Sequence, residues 1–351
     1  MLDFTCKQGR TQCPSASRMA NSVLRMVKGC SLAALCLLLF LASLFHGSVD
    51  IPVGDVVSAL CGEGTDTARY IVVFTRLPQA ITAFLAGGAL AVSGLLLQTA
   101  FRNPLAAPDI FGVTSGASLA VALLTLAPGL VVPGIVGFLS SVTAAFVGAM
   151  AVTALIWFLS RRVRSSVMLI IVGMMVGYVC SSIITMLNSL ATDEGVHSFV
   201  VWGMGDFSSV GMADMWLFAP LTVVATLSTL LLVKPLNALL LGPRYAESMG
   251  VNVRKARNVL LLLTGILTAL VTAFCGPIAF VALAVPHVAR LFTGTTDHRT
   301  LVPTTILMGS TVALLCNVIT TLPSGGTVLP LNAVTSLIGA PVIVYVLLKR
   351  K

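Results

Sequence analysis

Charge is what this chain has least of. Asp, Glu, Lys and Arg make up 9% of its 351 residues against 57% hydrophobic ones, too little polar surface to clothe a soluble globule of that size. The long apolar stretches hold almost no ionisable side chain, and so lack the buried acids and bases that ion-coupled carriers and pumps use to bind ions or relay protons. A carrier that binds sodium through backbone carbonyls escapes this exclusion. No G-x-x-x-x-G-K-[ST] loop is present, so the chain is not expected to hydrolyse ATP by itself. There is no paired nucleophile and base, which disfavours a membrane-embedded enzyme. His46, His197, His287 and His298 are too scattered to form a metal site, and no metal or other cofactor is expected on the chain.

Cysteine is present without a pattern. Cys30, Cys36, Cys180, Cys275 and Cys316 lie in or beside apolar segments, where Cys is a small filler. Cys6 and Cys13 fall on a tail expected in the reducing cytosol, and Cys61 faces outward without an evident partner.

What the chain does have is hydrophobic length. An α-helix needs roughly 17 to 25 apolar residues to cross a bilayer. Segments of about that kind run from Ser31 to His46, Pro78 to Phe101, Ile110 to Ala127, Ile135 to Leu159, Val167 to Leu190, Met215 to Val233, Val259 to Cys275, Pro277 to Leu291, Pro303 to Thr320 and Asn332 to Leu348. The expectation is an all-α polytopic membrane protein with about ten transmembrane helices. Residues 1–28 read as a basic cytoplasmic tail and residues 29–351 as one transmembrane domain. The tail is polar and expected to be disordered to Arg18, with Met19 an alternative start. Its length and the lack of an A-x-A-like cleavage site argue against a signal peptide.

The cations are sorted by side. Lys7, Arg10, Arg18, Arg25 and Lys28 precede the first segment, and Lys349, Arg350 and Lys351 follow the last. Alternate gaps hold Arg102, then Arg161, Arg162 and Arg164, then Lys234, Arg244, Arg254, Lys255 and Arg257, then Arg290 and Arg299. Only Arg69 and Arg76 fall on the other set, which carries Asp50, Asp55, Glu63, Asp66, Asp193, Glu194, Asp206 and Asp214. By the positive-inside rule both termini are cytoplasmic. The net charge of +9 then reflects topology, and no nucleic-acid partner is expected.

Within the segments Gln98, Asn188 and Asn317 are the notable polar side chains, read as interhelical hydrogen-bonding groups in preference to a transport role. Small-residue pairs such as Gly112 with Gly116 and Gly173 with Gly177, and the run Gly87, Gly88, Ala91, Gly94, predict close helix packing. Pro78, Pro277 and Pro303 read as first-turn prolines. On the outer side Asp50 is expected to cap a surface helix with Val53, Val56, Val57 and Leu60 on one face, and a second is expected around Val196 to Trp202. Arg76 is either a headgroup anchor or a partner for a carboxylate on a docking protein.

Between the sixth and seventh segments, Gly242-Pro243-Arg244-Tyr245-Ala246-Glu247-Ser248-Met249-Gly250 predicts a short helix opened by Pro243 and stopped by Gly250. Tyr245 and Met249 share one face. The face is either a surface for a soluble partner or one laid against its own bundle.

Several ordered motifs resemble one family. Arg76-Leu-Pro78, Gly87, Ser93-Gly94, Gln98, Arg102-Asn103-Pro104-Leu105, Pro108, Gly112, Gly116-Ala117, Trp202-Gly-Met-Gly205, Gly276-Pro277-Ile278 with Phe280, Pro286-His287, Arg290, Gly294, Asp297-His-Arg299 and Ile338-Gly-Ala-Pro341 closely resemble the FecCD family. These are permease subunits of type II ATP-binding-cassette importers for ferric siderophores, haem and cobalamin. The resemblance runs from about Ile51 to the C-terminus. It implies a homodimer of ten-helix subunits in the bacterial inner membrane, embedded in lipid around a central pathway. Two ATPase subunits, holding ATP and Mg, would dock inside on the helix of Gly242 to Gly250. A periplasmic or lipid-anchored binding protein would dock outside, with Arg76 receiving one of its carboxylates. Ser165 and Ser166 resemble inner-gate positions, and His287 is implied to be structural. Gln79, Asn317 and Val328 stand where the family often has charge, which implies fewer ion pairs with the binding protein. The residues leave one alternative, a self-sufficient ion-coupled secondary transporter.

Overall fold

The computed structural model describes residues 14–126, 134–163, 165–323 and 328–349, without the side chains of 14–25, 134–136, 166, 347 and 349. The sequence readings that fall on residues 1–13, on Arg164, on Arg350 and Lys351, and on the side chain of Ser166 lie outside the described residues. Every regular element among the described residues is helical. Those on the first half are α1 (Pro14–Phe45), α2 (Val53–Leu60), α3 (Asp66–Arg69), a π-helical turn (Tyr70–Arg76), α4 (Leu77–Ala100), α5 (Val113–Thr125), α6 (Gly134–Ser160) and α7 (Ser166–Leu190). The second half holds α8 (Asp193–Gly203), α9 (Met212–Ser228), a 3₁₀ turn (Thr229–Leu232), α10 (Val233–Leu240), α11 (Pro243–Ser248), α12 (Val253–Cys275), α13 (Val281–Thr293), α14 (His298–Thr320) and α15 (Leu331–Lys349). Among the described residues seven helical stretches are long and apolar enough to cross a membrane, and Val113–Thr125, Val281–Thr293 and Leu331–Val346 are shorter apolar helices.

The bundle is built around α4. From Ala86 to Ala100 every residue of that helix is buried, and its most extensive contact is with α14. Glycine is what lets the two backbones meet. A Cβ on Gly87 would stand 2.3 Å from the Gly309 carbonyl oxygen, and one on Gly309 would stand 2.3 Å from that of Gly87. Gly94 makes the corresponding approach to α13, where a Cβ would collide with the Ala282 carbonyl. With lipid as apolar as the helices themselves, such dispersion contacts replace the hydrophobic drive of a soluble core.

Several sequence expectations need correction. α1 begins at Pro14, so residues 14–18, expected to be disordered, are helical. Asp50 does not cap α2. Proline restricts the preceding residue to extended backbone, and Pro52 itself is the N-cap residue, at φ −54° and ψ 140°, with no side-chain cap. On α2 it is Val56 and Ala59 that are buried, whereas Val53, Val57 and Leu60 are exposed. α12 starts at Val253, which puts Arg254, Lys255 and Arg257 on its first turns, behind an Asn252 cap. Pro277 opens no helix: Gly276 and Phe280 both take positive φ, and α13 begins only at Val281. Pro303 lies inside α14, and of these three prolines Pro78 alone sits at a helix start, directly after the π-helical turn. The surface helix expected around Val196 to Trp202 is α8.

Candidate functional site

Several polar junctions tie the bundle together, and one short helix leaves it. That helix is α11. Gly242, at φ 109°, makes the corner from α10 that only glycine takes without strain, and Pro243 presets the first turn. Gly250, at φ 78°, follows the end. Ala246 is fully buried against the bundle, while Tyr245 is 52% and Met249 59% exposed. Arg244, Glu247 and Ser248 are exposed as well. The shared face of Tyr245 and Met249 is therefore more than half exposed.

Beside α11 lies a cavity of about 570 Å³ between the end of α6 and the start of α12, with Arg161, Arg162, Arg254, Arg257 and Glu247 in its wall. Arg161 lies 3.7 Å above the Trp157 ring and Arg257 5.3 Å from that of Phe101. The Arg257 Nε is buried without a hydrogen-bond partner. This end of the bundle thus presents a cationic concavity next to an aromatic and methionine face. Ser165, at the start of α7, is exposed and caps the helix by accepting from the Met168 amide. Ser166 is the first residue of α7.

Some of the motif residues gather at the same end. Arg102, with φ 49°, turns the chain after α4, and Asn103 closes the turn by accepting from the Leu105 amide at 2.9 Å. The Pro104 carbonyl lies 2.8 Å from His287 Nε2, so this buried imidazole holds the turn. Pro286 is buried beside it. Gln98 bridges to α13: its Nε2 donates to the Leu283 carbonyl at 3.2 Å, and its Oε1 accepts from Arg290 Nη1 at 2.6 Å. Gln98 and Asn317 thus join helices as expected, whereas the Asn188 Oδ1 is buried without a partner.

A second junction at this end was not legible beforehand. Asn237 of α10 donates to Asp297 Oδ1 at 2.6 Å and accepts from the His298 amide at 2.8 Å. Asp297 lies outside the membrane-crossing helices, and its carboxyl is held below the ordinary 3.8, first by the Arg299 amide and next by Asn237.

At the opposite end Arg76 is only 4% exposed. Its Nη1 donates to the carbonyls of Leu44 at 3.0 Å and Phe45 at 3.1 Å, and its Nη2 donates to that of Val49. It satisfies two orphan carbonyls at the end of α1 and one in the loop that follows. Next to it Gln79 donates to Asn317 Oδ1 at 2.9 Å, and Asn317 donates to Ser43 Oγ at 2.7 Å, linking α4, α14 and α1. Gly276, at φ 73°, would bring a Cβ within 2.5 Å of the Trp202 carbonyl. Asn332 gathers the neighbouring chain: it donates to the carbonyls of Gly203 and Pro277 and accepts from the Ala279 amide at 3.0 Å. Nothing but its place at the start of an apolar segment marked Asn332 in the sequence. Among the described residues no group of three His, Cys, Asp or Glu side chains is placed to hold a metal.

Comparison with known proteins agrees with this geometry. A family model described as the FecCD transport family matches residues 35–349, beginning upstream of the Ile51 at which the resemblance is first legible. The vitamin B12 import system permease protein BtuC of Citrobacter koseri is 33% identical, over 100% of this chain and 99% of that protein. The BtuC of Salmonella paratyphi A is 34% identical, over 91% of this chain and 94% of that one. A solved structure, an inward-facing conformation of a metal-chelate type ABC transporter, superposes with a TM-score of 0.78 at 29% identity, covering 91% of this chain and 98% of that one. With nine-tenths of its length matched and the motif residues seated at its helix junctions, the chain belongs to the FecCD transport family.

Proposed function

We propose that this chain is the translocation subunit of an ATP-driven importer, with α11 as the helix through which a separate ATPase acts. It is a multi-pass protein of the bacterial inner membrane, a permease for a chelate or a cobalamin. The observation that carries the docking role is the exposure of Tyr245 and Met249 on a helix whose Ala246 is fully buried. An aromatic and a methionine left out of the bundle, beside a cationic cavity, suit a partner groove that is apolar with an acidic rim.

The finer assignments follow from the same reading. The chain crosses the bilayer ten times with both termini in the cytoplasm. This is supported by the charge distribution and by seven long and three shorter apolar helices. Two copies pair around the pathway, which is supported by α7, an apolar helix left mostly unburied within one chain. Two ATPase subunits hold ATP and Mg. A periplasmic or lipid-anchored binding protein delivers iron siderophore, haem or cobalamin to the outer end, meeting this chain through few ion pairs because the neutral Gln79, Asn317 and Val328 stand where the family often has charge. Arg76 acts there by holding the loop after α1, and Ser165 with Ser166 stands at the inner gate. ATP binding draws the ATPases together, and their motion passes through α11 to the span ends.

The test is reconstitution in proteoliposomes with the cognate ATPase and binding protein. Uptake that requires both, together with ATP, is the expected result. Accumulation by this chain alone, driven by an ion gradient, would overturn the reading.

A further inference from the structure

A small helix pushed by an ATPase moves a gate only if something rigid connects it to the long helices. α11 is short, and its main neighbour is α10, to which it is joined directly by Leu241 and Gly242. What α10 is fastened to therefore decides where a push on Tyr245 and Met249 is delivered.

Asn237, in the middle of α10, uses both ends of its amide. The Nδ2 donates to Asp297 Oδ1 at 2.6 Å, and because a carboxylate only accepts, the orientation of the amide is fixed. The Oδ1 then accepts from the His298 backbone amide at 2.8 Å, one of the unpaired donors at the start of α14, and faces His298 Nδ1 at 2.9 Å. Nδ1 must carry the ring proton. On the far side of the ring, Nε2 lies 3.0 Å from the Thr99 hydroxyl of α4. A neutral ring with its proton on Nδ1 accepts there, so the hydroxyl, which also has the Leu95 carbonyl at 2.9 Å, can turn its hydrogen to the imidazole. His298 is 1% exposed and Thr99 3% exposed, so water does not compete for the bond between them.

We infer that Asn237, His298 and Thr99 form a clamp that transmits force from α10 and α11 to the central pair α4 and α14. The clamp rests on the reading of α11 as the ATPase-docking helix and names where the docked helix delivers its motion. These are positioning residues, since none faces the docking partner or a cargo. Two features favour transmission over plain packing. The clamp joins a short peripheral element to the two most extensively packed helices of the bundle, and it does so by directional bonds, which resist sliding where apolar contacts yield.

The experiment measures cargo taken up per ATP hydrolysed, in proteoliposomes holding the whole transporter with its binding protein. Thr99→Val keeps the volume and removes the hydroxyl, and Asn237→Ala removes the amide. Each is expected to keep ATPase co-purification and ATP turnover while lowering cargo per ATP about three- to tenfold. Thr99→Ser restores the hydroxyl and should restore the ratio. If one variant fails to fold, the other carries the test, and Thr99→Val is the milder of the two. An unchanged ratio in a folded variant, or equal loss of turnover and uptake, would refute the clamp. Failure of the unaltered transporter to couple uptake to ATP would instead refute the reading of α11.

Discussion

Arg290 donates from Nη1 to the Oε1 of Gln98 at 2.6 Å, joining two helices across 192 residues of sequence. A guanidinium on α13 here meets a neutral amide on α4. The same amide also donates to the Leu283 carbonyl, so it pins α13 at two points. Gln98→Leu keeps the volume and removes both bonds. Hydrogen bonds to a charged group are worth about 1.5–3 kcal/mol, so the thermal midpoint of the purified protein should fall by several degrees. Gln98→Glu puts a carboxylate beside Arg290 and should retain more of the stability than Gln98→Leu.

The exposed face of α11 gives a sharper readout. Tyr245→Asp and Met249→Asp each place a charge on a surface expected to enter an apolar groove, and both side chains are exposed over more than half their surface. Fold and thermal midpoint should be unchanged, while co-purification of the ATPase falls at least about tenfold, as expected for losing an interface anchor. Full recovery of the ATPase with both variants would remove α11 from the interface.

Arg76 separates two roles by what is measured. Its guanidinium donates to three carbonyls at and just beyond the end of α1, so Arg76→Ala should destabilise the chain by about 1.5–3 kcal/mol. Arg76→Lys should recover only part, because one ammonium does not reproduce a planar fork. A midpoint unmoved by Arg76→Ala, with weakened capture of the binding protein, would show that the arginine serves the partner and not the helix end.

These residues also show how far the sequence could be read. The long helices were legible because an apolar run free of charge has few alternatives. Tyr245 and Met249 were legible as one face because helical spacing fixes which side chains sit together. Burial was harder. Arg76 reads as an exposed cation until the carbonyls of Leu44, Phe45 and Val49 come into view, and those lie about thirty residues away in sequence. Asn237 and Thr99 are ordinary residues in their own helices, and their meaning comes from a histidine brought in from α14. Local pattern reports periodicity and charge, and long-range partners leave no trace in it. The start of α13 was misplaced for a related reason: Pro277 looks like a first-turn proline, yet Gly276 and Phe280 at positive φ delay the helix.

Asp297 gives a prediction in pH. Its carboxyl is held below the ordinary 3.8 by the Arg299 amide and by Asn237. A group whose value is depressed by folding contributes stability that is complete above its unfolded value and is lost as pH falls through the folded one. Asp297→Asn should therefore be less stable than the unaltered chain at neutral pH, and the gap in thermal midpoint should close on acidification below 3.8. A gap constant over that range would mean that the charge contributes nothing.

The contact of α4 with α14 permits a test of cooperation between two glycines. A Cβ on Gly87 would stand 2.3 Å from the Gly309 carbonyl oxygen and 2.4 Å from Ala313 Cβ, and one on Gly309 meets Gly87 and Ala91 at the same two distances. Backbone cannot rotate aside as a side chain can, so Gly87→Ala or Gly309→Ala must push the helices apart, at about 1–3 kcal/mol for an overpacked site. Once one alanine has opened the gap, the second enters space already made. The double variant should therefore lose clearly less than the sum of the two single losses in thermal midpoint, since residues in contact are not independent. Strict additivity would mean that each methyl is absorbed locally and that the backbones of α4 and α14 do not bear on each other at this crossing.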